Sequence, residues 1–156
     1  MAKKPDFDGM RTVIAARLEP GEDIDGLFTA LMPEPDSGDG GSTFALGGLL
    51  IMAYQFTAWR YTAHRAGKKA GVPLAPRMII AITPRRLAIW TASYGWRIGR
   101  HLGDLPRDRV VGVTATGAGS HSRSLSLSLV SGATITMRVA PSVAGSLGAK
   151  LGFQSA

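Results

Sequence analysis

There is no cysteine in the 156 residues. That excludes disulfides and thiolate metal sites, leaves the core to be held by packing alone, and fits a reducing compartment. Acids are scarce over most of the chain as well. After Gly40 only Asp104 and Asp108 remain, against fourteen Lys and Arg, whereas the leading segment carries nine acids and four bases. The formal charge of +7 therefore divides into a leading segment of net minus five and a body of net plus twelve. A body so poor in carboxylates has few ligands to offer a metal, and a field of this sign draws phosphate, in nucleic acid or on an anionic lipid surface, to a degree that salt screens. A solvated, arginine-rich surface with no partner is the competing explanation.

Charge of either sign is missing from Gly41 to Trp59. A helix over Phe44–Trp59 has apolar side chains around nearly its whole circumference, so something covers it. The cover is the rest of the domain, a second copy of the chain, or lipid. Its length approaches the roughly 20 residues that cross a bilayer, and Trp59, Arg60, Tyr61, Arg65, Lys68 and Lys69 follow in the order of a cytoplasmic membrane boundary. Gly47, Gly48, Gln55 and Thr57 argue against a span. Leu49, Leu50, Met52, Phe56 and Trp59 are the interface candidates on this helix. At the N-terminus, Asp6 and Asp8 interrupt any apolar run of an export signal, so the expected location is cytoplasmic, at most peripheral at the inner face of the membrane.

What is present reads mainly as strands. Met78–Ile82 is an unbroken apolar run, too short for a core-crossing helix and rich in β-branched residues. Thr83-Pro84-Arg85-Arg86 turns the chain, and Leu87–Trp90 resumes an extended pattern, which makes a hairpin. Ser124–Val130 places Leu125, Leu127 and Leu129 on one face and serines on the other. Ile135, Met137 and Val139 repeat this beyond the Ser131-Gly132 turn. Ile24–Met32, Arg97–His101 and Val110–Thr116 complete about seven strands, with a turn expected at Leu105–Asp108. Phe7, Met10, Val13 or Ile14, and Leu18 fall at helical spacing, as do Val143, Leu147 and Leu151 after Pro141. The expected layout is an N-terminal helix and turn over 1–23 and one domain over 24–151. Within that domain come an acidic loop at 33–43 and an apolar helical insertion at 44–69, and a tail follows at 152–156. The fold class is α+β, mainly β: a seven-stranded antiparallel barrel or sandwich capped by a C-terminal helix.

This order of elements, the hairpin residues Thr83, Arg85, Arg86 and Leu87 ("T-x-R-R-L") and the turn Leu18–Glu22 ("LEPGE") resemble the pleckstrin-homology (PH) superfold. The likeness is to bacterial PH-like and GRAM-like proteins, actinobacterial ones among them, over roughly Leu18 to Leu151. The resemblance implies a non-enzymatic binding module for anionic lipids or protein partners. The chain departs from eukaryotic lipid-binding PH domains after the first strand, where Glu34, Asp36 and Asp39 stand in place of a lysine and arginine cluster. Hairpin loops alternate between the ends of an antiparallel meander, so the loop before Met78 and the loop around Tyr94 share an end. That end gathers Lys68, Lys69, Arg77, Tyr94, Trp96, Arg97 and Arg100 as anion- or lipid-binding candidates, a mixture suited to a membrane interface.

No residues are expected to be catalytic, and neither a metal nor a cofactor is expected. His64, His101 and His121 fall on unlike elements, Asp104 being the one acid near any of them. Gly117-Ala118-Gly119 lacks the last glycine and the following helix of a dinucleotide cradle. Trp90, on an apolar strand, is expected to be buried rather than to stack on a base, which argues against nucleic acid. The expected partner is an anionic lipid surface. The alternative is a protein partner or a second copy of the chain, met through the apolar helix.

Overall fold

The computed structural model describes residues 6–33, 45–93, 95–116 and 122–151; within the long helix, side chains are described from Phe56 onward. The acidic loop beyond Pro33 and the tail at 152–156 lie outside the described residues. In chain order come α1 (Phe7–Arg17), β1 (Gly26–Leu31), α2 (Ala45–Ala70), β2 (Arg77–Ile82), β3 (Arg86–Ala92) and β4 (Ile98–Pro106). A single 3₁₀ turn (Arg107–Arg109) leads into β5 (Val110–Thr116), β6 (Arg123–Leu129), β7 (Thr134–Val139) and α3 (Pro141–Lys150).

The seven strands form one antiparallel sheet in the order β4-β3-β2-β1-β7-β6-β5. β1 pairs along its whole length with β2, from Gly26 opposite Ile82 to Leu31 opposite Arg77. It meets β7 in register only where Leu31 faces Arg138. Two halves, β1–β4 and β5–β7, are thus joined at one corner. Their inner faces share a single core, to which Phe28, Met78 and Ile80 contribute from one half and Leu125, Leu127 and Met137 from the other. Of the expected barrel or sandwich, the seven antiparallel strands are present and the sheet is not closed: among the described residues β4 and β5 are its edges and do not pair with each other. Helices cover what the strands leave open. α3 packs on β5 and β6, α2 reaches β7, and Trp59, Ala63, Ala70 and Leu147 enter the shared core.

A second apolar cluster lies on the outer face of β2 and β3, where Ile79, Ala81, Ala88 and Trp90 meet Met10 and Ile14 of α1. Asp6 caps α1, its Oδ1 accepting the Gly9 N–H at 3.1 Å. Of the expected stripe only Met10 and Ile14 are buried, while Phe7 and Val13 are exposed. α1 therefore covers β2 and β3 with a narrow face. At the other end of the chain, Pro141 sits in the first turn of α3, and Leu147 and Leu151 are buried as the spacing requires.

Two boundaries differ from expectation. β4 continues through Leu105 and Pro106, where the sequence suggests a turn, because it is an edge strand whose pairing with β3 shifts register around Trp90 and blurs the period-two pattern. Proline is tolerated there because an edge strand has a side with no ladder partner to lose. β1 starts at Gly26 rather than Ile24, whose carbonyl accepts from the Arg11 guanidinium of α1 at 3.1 Å.

Candidate anion-binding surface

The described half of α2 has two unlike faces. Trp59, Ala63, Gly67 and Ala70 are buried and recur every three or four residues, as one helical stripe should. The Trp59 indole N–H donates to the Met32 carbonyl at 2.9 Å, which satisfies its one polar atom inside the core. Trp59, expected at an interface, is therefore a core residue, 9% exposed. The outer face carries Arg65, Lys68 and Lys69, all exposed, with Tyr61 at 60% exposure, while Phe56 (52%), Arg60 and His64 are exposed along the edge of the buried stripe. The side chains of Leu49, Leu50 and Met52 fall outside the described residues, although their backbone belongs to α2. Among the described residues no helix is long and apolar enough to cross a membrane. The bilayer-crossing alternative for Phe44–Trp59 thus gains no support.

Gly67 lets the chain fold back at the end of α2. A Cβ there would sit 2.6 Å from the Val72 carbonyl oxygen, a distance no other residue type could hold without moving backbone. The returning segment, Val72 to Pro76, then delivers Arg77 to the start of β2.

The bases expected to form one rim are distributed over three places. Arg77 and Arg100 line a cleft of about 480 Å³ between α2 and strands β2, β3 and β4. Arg60 and His64 of α2 share it, and Trp59, Leu74 and Leu102 supply apolar wall. Trp96 and Arg97 line a separate groove against α1, next to Asp6 and Arg17. Lys69 borders a third depression with Tyr61, Arg65 and Thr134, and Lys68 is exposed on the same last turns of the helix. Tyr94 lies outside the described residues.

The reason is the pitch of α2. Arg60 and Lys68 are eight residues apart, about 12 Å along a helix axis, so the lysines have passed the strand ends by which Arg60 and His64 lie. Arg60 and His64 are the members that sequence reasoning missed. Their i, i+4 spacing along the edge of the Trp59, Ala63 and Gly67 stripe was the available signal.

One contact links the first two places. The Arg77 guanidinium lies over the Trp96 ring, 5.5 Å from its centroid, close enough for cation–π attraction. Trp96 holds φ at 59°, which for a bulky residue costs about 1–3 kcal/mol. The Trp96 N–H donates to the Ser93 carbonyl at 3.0 Å, which helps hold that conformation.

Glu19, Glu22 and Asp25 of the leading segment and Asp104 of the body are engaged elsewhere. Arg86 meets Glu22 with two parallel bonds, Nε to Oε2 at 2.9 Å and Nη2 to Oε1 at 2.8 Å, and meets Asp104 with Nη1 at 2.6 Å. Thr83 Oγ1 donates to Glu22 Oε2 at 2.8 Å, and His101 Nε2 lies 2.8 Å from Asp104 Oδ1. The Arg86 bonds, more than any other cause, hold the Glu22 carboxyl down at about 2 against an ordinary 4.5, with the Thr83 bond adding to them and desolvation opposing. The Arg86 guanidinium is in turn stabilised in its charged form, chiefly by the Glu22 hydrogen bonds. Arg107 takes Asp25 at 3.3 Å, and Arg85 takes Glu19 at 3.4 Å in an exposed pair.

Glu22 and Asp104 are thus both occupied by Arg86, and Asp104 also meets His101. His101 is exposed and His64 lines the cleft; His121 and the Gly117-Ala118-Gly119 loop lie outside the described residues. Among the described residues no three His, Asp or Glu side chains come together as a metal site would need.

No protein-family model, no curated protein and no solved structure matches the chain.

Proposed function

We propose that the chain is a PH-like, non-enzymatic binding module that associates with an anionic membrane surface through the outer face of α2. The single observation that carries this reading is the separation of charge. Glu19, Glu22, Asp25 and Asp104 are each matched by an arginine of the body. Arg65, Lys68 and Lys69 of α2 form no ion pair among the described residues, and exposed Tyr61 accompanies them. A helix seated by one apolar stripe, with cations and an aromatic ring on the other side, suits the headgroup layer of an anionic bilayer. The order of seven antiparallel strands, with a helix after the last, supports the PH-like part of the reading.

Flotation with vesicles of phosphatidylserine and phosphatidylcholine tests it. Binding should appear on the acidic vesicles, weaken with salt, and be lost in the variant R65E/K68E/K69E while the thermal transition stays in place. Undiminished flotation of that variant removes the proposed face. Failure of the native chain to float, together with a mass that rises with concentration, favours self-association through α2.

A further inference from the structure

The two edges of the sheet are not equally protected. β4 carries Arg100, His101, Asp104 and Pro106, and its pairing with β3 shifts register twice. The Arg17 guanidinium of α1 also takes the Gly99 carbonyl at 3.0 Å. Charge, proline, bulges and cover are the devices that keep an edge strand from pairing with another chain. β5 has few of them. Its sequence, VVGVTAT, holds no charge and no proline, and its register shift falls at the start, between Val110 and Gly112. Among the described residues it pairs with β6 alone, so the outward half of its backbone N–H and C=O groups has no ladder partner.

Beyond the shift, Gly112 to Thr116 run in unbroken register opposite Ser128 to Ser124. Residues facing each other across an antiparallel pair share a face. Gly112, Thr114 and Thr116 therefore lie with the partly exposed serines of β6, and Val113 and Ala115 with its leucines. Thr114, Ala115 and Thr116 are exposed, as is Val111 at the shift.

This run is complementary to itself. Laid antiparallel on a second copy about a two-fold axis at Thr114, it sets Gly112 against Thr116, Val113 against Ala115 and Thr114 against its own counterpart. Each larger side chain meets a smaller one except at the centre, where two threonines form a favourable cross-strand pair. Charge selects the same partner. The body carries plus twelve beyond Gly40, so two copies repel wherever their bases meet. β4 laid on itself would bring Arg100 and His101 of both copies to one seam, whereas β5 brings no charge at all. A neutral strand also has nothing with which to select a charged foreign segment.

We infer that β5 pairs with β5 of a second copy, joining two seven-stranded sheets edge to edge. The inference goes beyond the membrane reading and uses no residue of α2, so the two fail separately. A contact confined to Gly112–Thr116 on each side lies below the roughly 1,200 Å² of a standard interface. The dimer is therefore reversible and forms at about 0.1 mM chain and above.

Sedimentation of the full chain from about 0.01 to 1 mM tests it. The mass should rise towards that of a dimer, and amide exchange over residues 112–116 should slow as it does. Thr114→Lys sets two ammonium groups face to face at the axis and should weaken association about fivefold, as should Thr114→Glu. Mixing these two variants should restore it, because opposite charges then face each other. Ser126→Lys, the same charge one strand inward, should associate like the native chain, and so should R65E/K68E/K69E. Circular dichroism on heating should find every variant folded.

A chain that stays monomeric across the range overturns the second copy and leaves the edge to a foreign strand. Native association by folded Thr114→Lys overturns the edge, and its loss in R65E/K68E/K69E alone assigns the dimer to α2 instead. Mixed charge variants that associate no better than either one by itself overturn the two-fold pairing.

Discussion

The two halves of the sheet solve the same problem with different sequences. In β2 the five residues Met78 to Ile82 are all buried, because the shared core lies on one side and α1 on the other. In β6 burial alternates, with Leu125, Leu127 and Leu129 inside and the serines between them partly exposed. Continuous apolar runs and alternating ones are thus both strands here, and the difference records whether the second face is covered. It also means that tolerance to substitution should follow the cover rather than the strand.

The largest effects test that directly. Leu127→Asp and Ile79→Asp should each abolish the cooperative thermal transition, since each strands a carboxylate in apolar surroundings at a cost of several kcal/mol. Ser126→Asp, one position along β6, should cost no more than about 1 kcal/mol. Circular dichroism on heating separates these outcomes. If Ile79→Asp melts like Ser126→Asp, the outer face of β2 is not dry and the comparison breaks.

A smaller effect measures what α1 contributes. Ile14, fully buried against the outer face of β2 and β3, should cost about 2–5 kcal/mol when replaced by Ala. Thr136→Ala on the uncovered face of the second half should change stability by about 0.5 kcal/mol or less, although Thr136 Oγ1 lies 3.2 Å from Ser126 Oγ. Urea unfolding resolves both.

The smallest effect sharpens the electrostatic side of the contrast, because the Glu22–Arg86–Asp104 network belongs to the first half alone. The folded pKa of Glu22 lies below its ordinary value, so its stabilisation is complete above pH 4.5 and is lost as the pH falls towards about 2. The loss should be on the order of 2 kcal/mol, allowing for solvent screening of the partly exposed Arg86. Glu22→Gln should flatten that acid limb and lower stability at neutral pH by a similar amount. An unchanged slope between pH 4.5 and 2 in the variant would detach Glu22 from the stability of this half.

Local patterns carried much of the architecture. The serine and leucine alternation of β6, the apolar run of β2 and the Pro141 start of α3 each express a period or a turn preference within a few residues, and they survive folding unaltered. The open sheet did not follow from them, because closure depends on how two distant strands meet, and Leu31 opposite Arg138 is a single pairing. The candidate site was legible as a set of bases and not as a place. Arg77, Arg97 and Arg100 were found from the strand turns, but Lys68 and Lys69 were assigned beside them as though α2 ended at the sheet. The helical rise decides instead for Arg60 and His64. Arg86 looked like turn polarity, since its partner Glu22 lies 64 residues away in sequence.

Arg107 carries a consequence for how the chain is made. Its guanidinium reaches Asp25, the Thr83 carbonyl at 3.2 Å and the Lys150 carbonyl at 2.5 Å, spanning 82 residues back and 43 forward. Contacts this remote form late, after loop-closure entropy has been overcome. A nascent chain still lacking α3 can join Arg107 to Asp25 and Thr83 but has no Lys150 carbonyl for it, and the leucines of β6 are without the cover of α3.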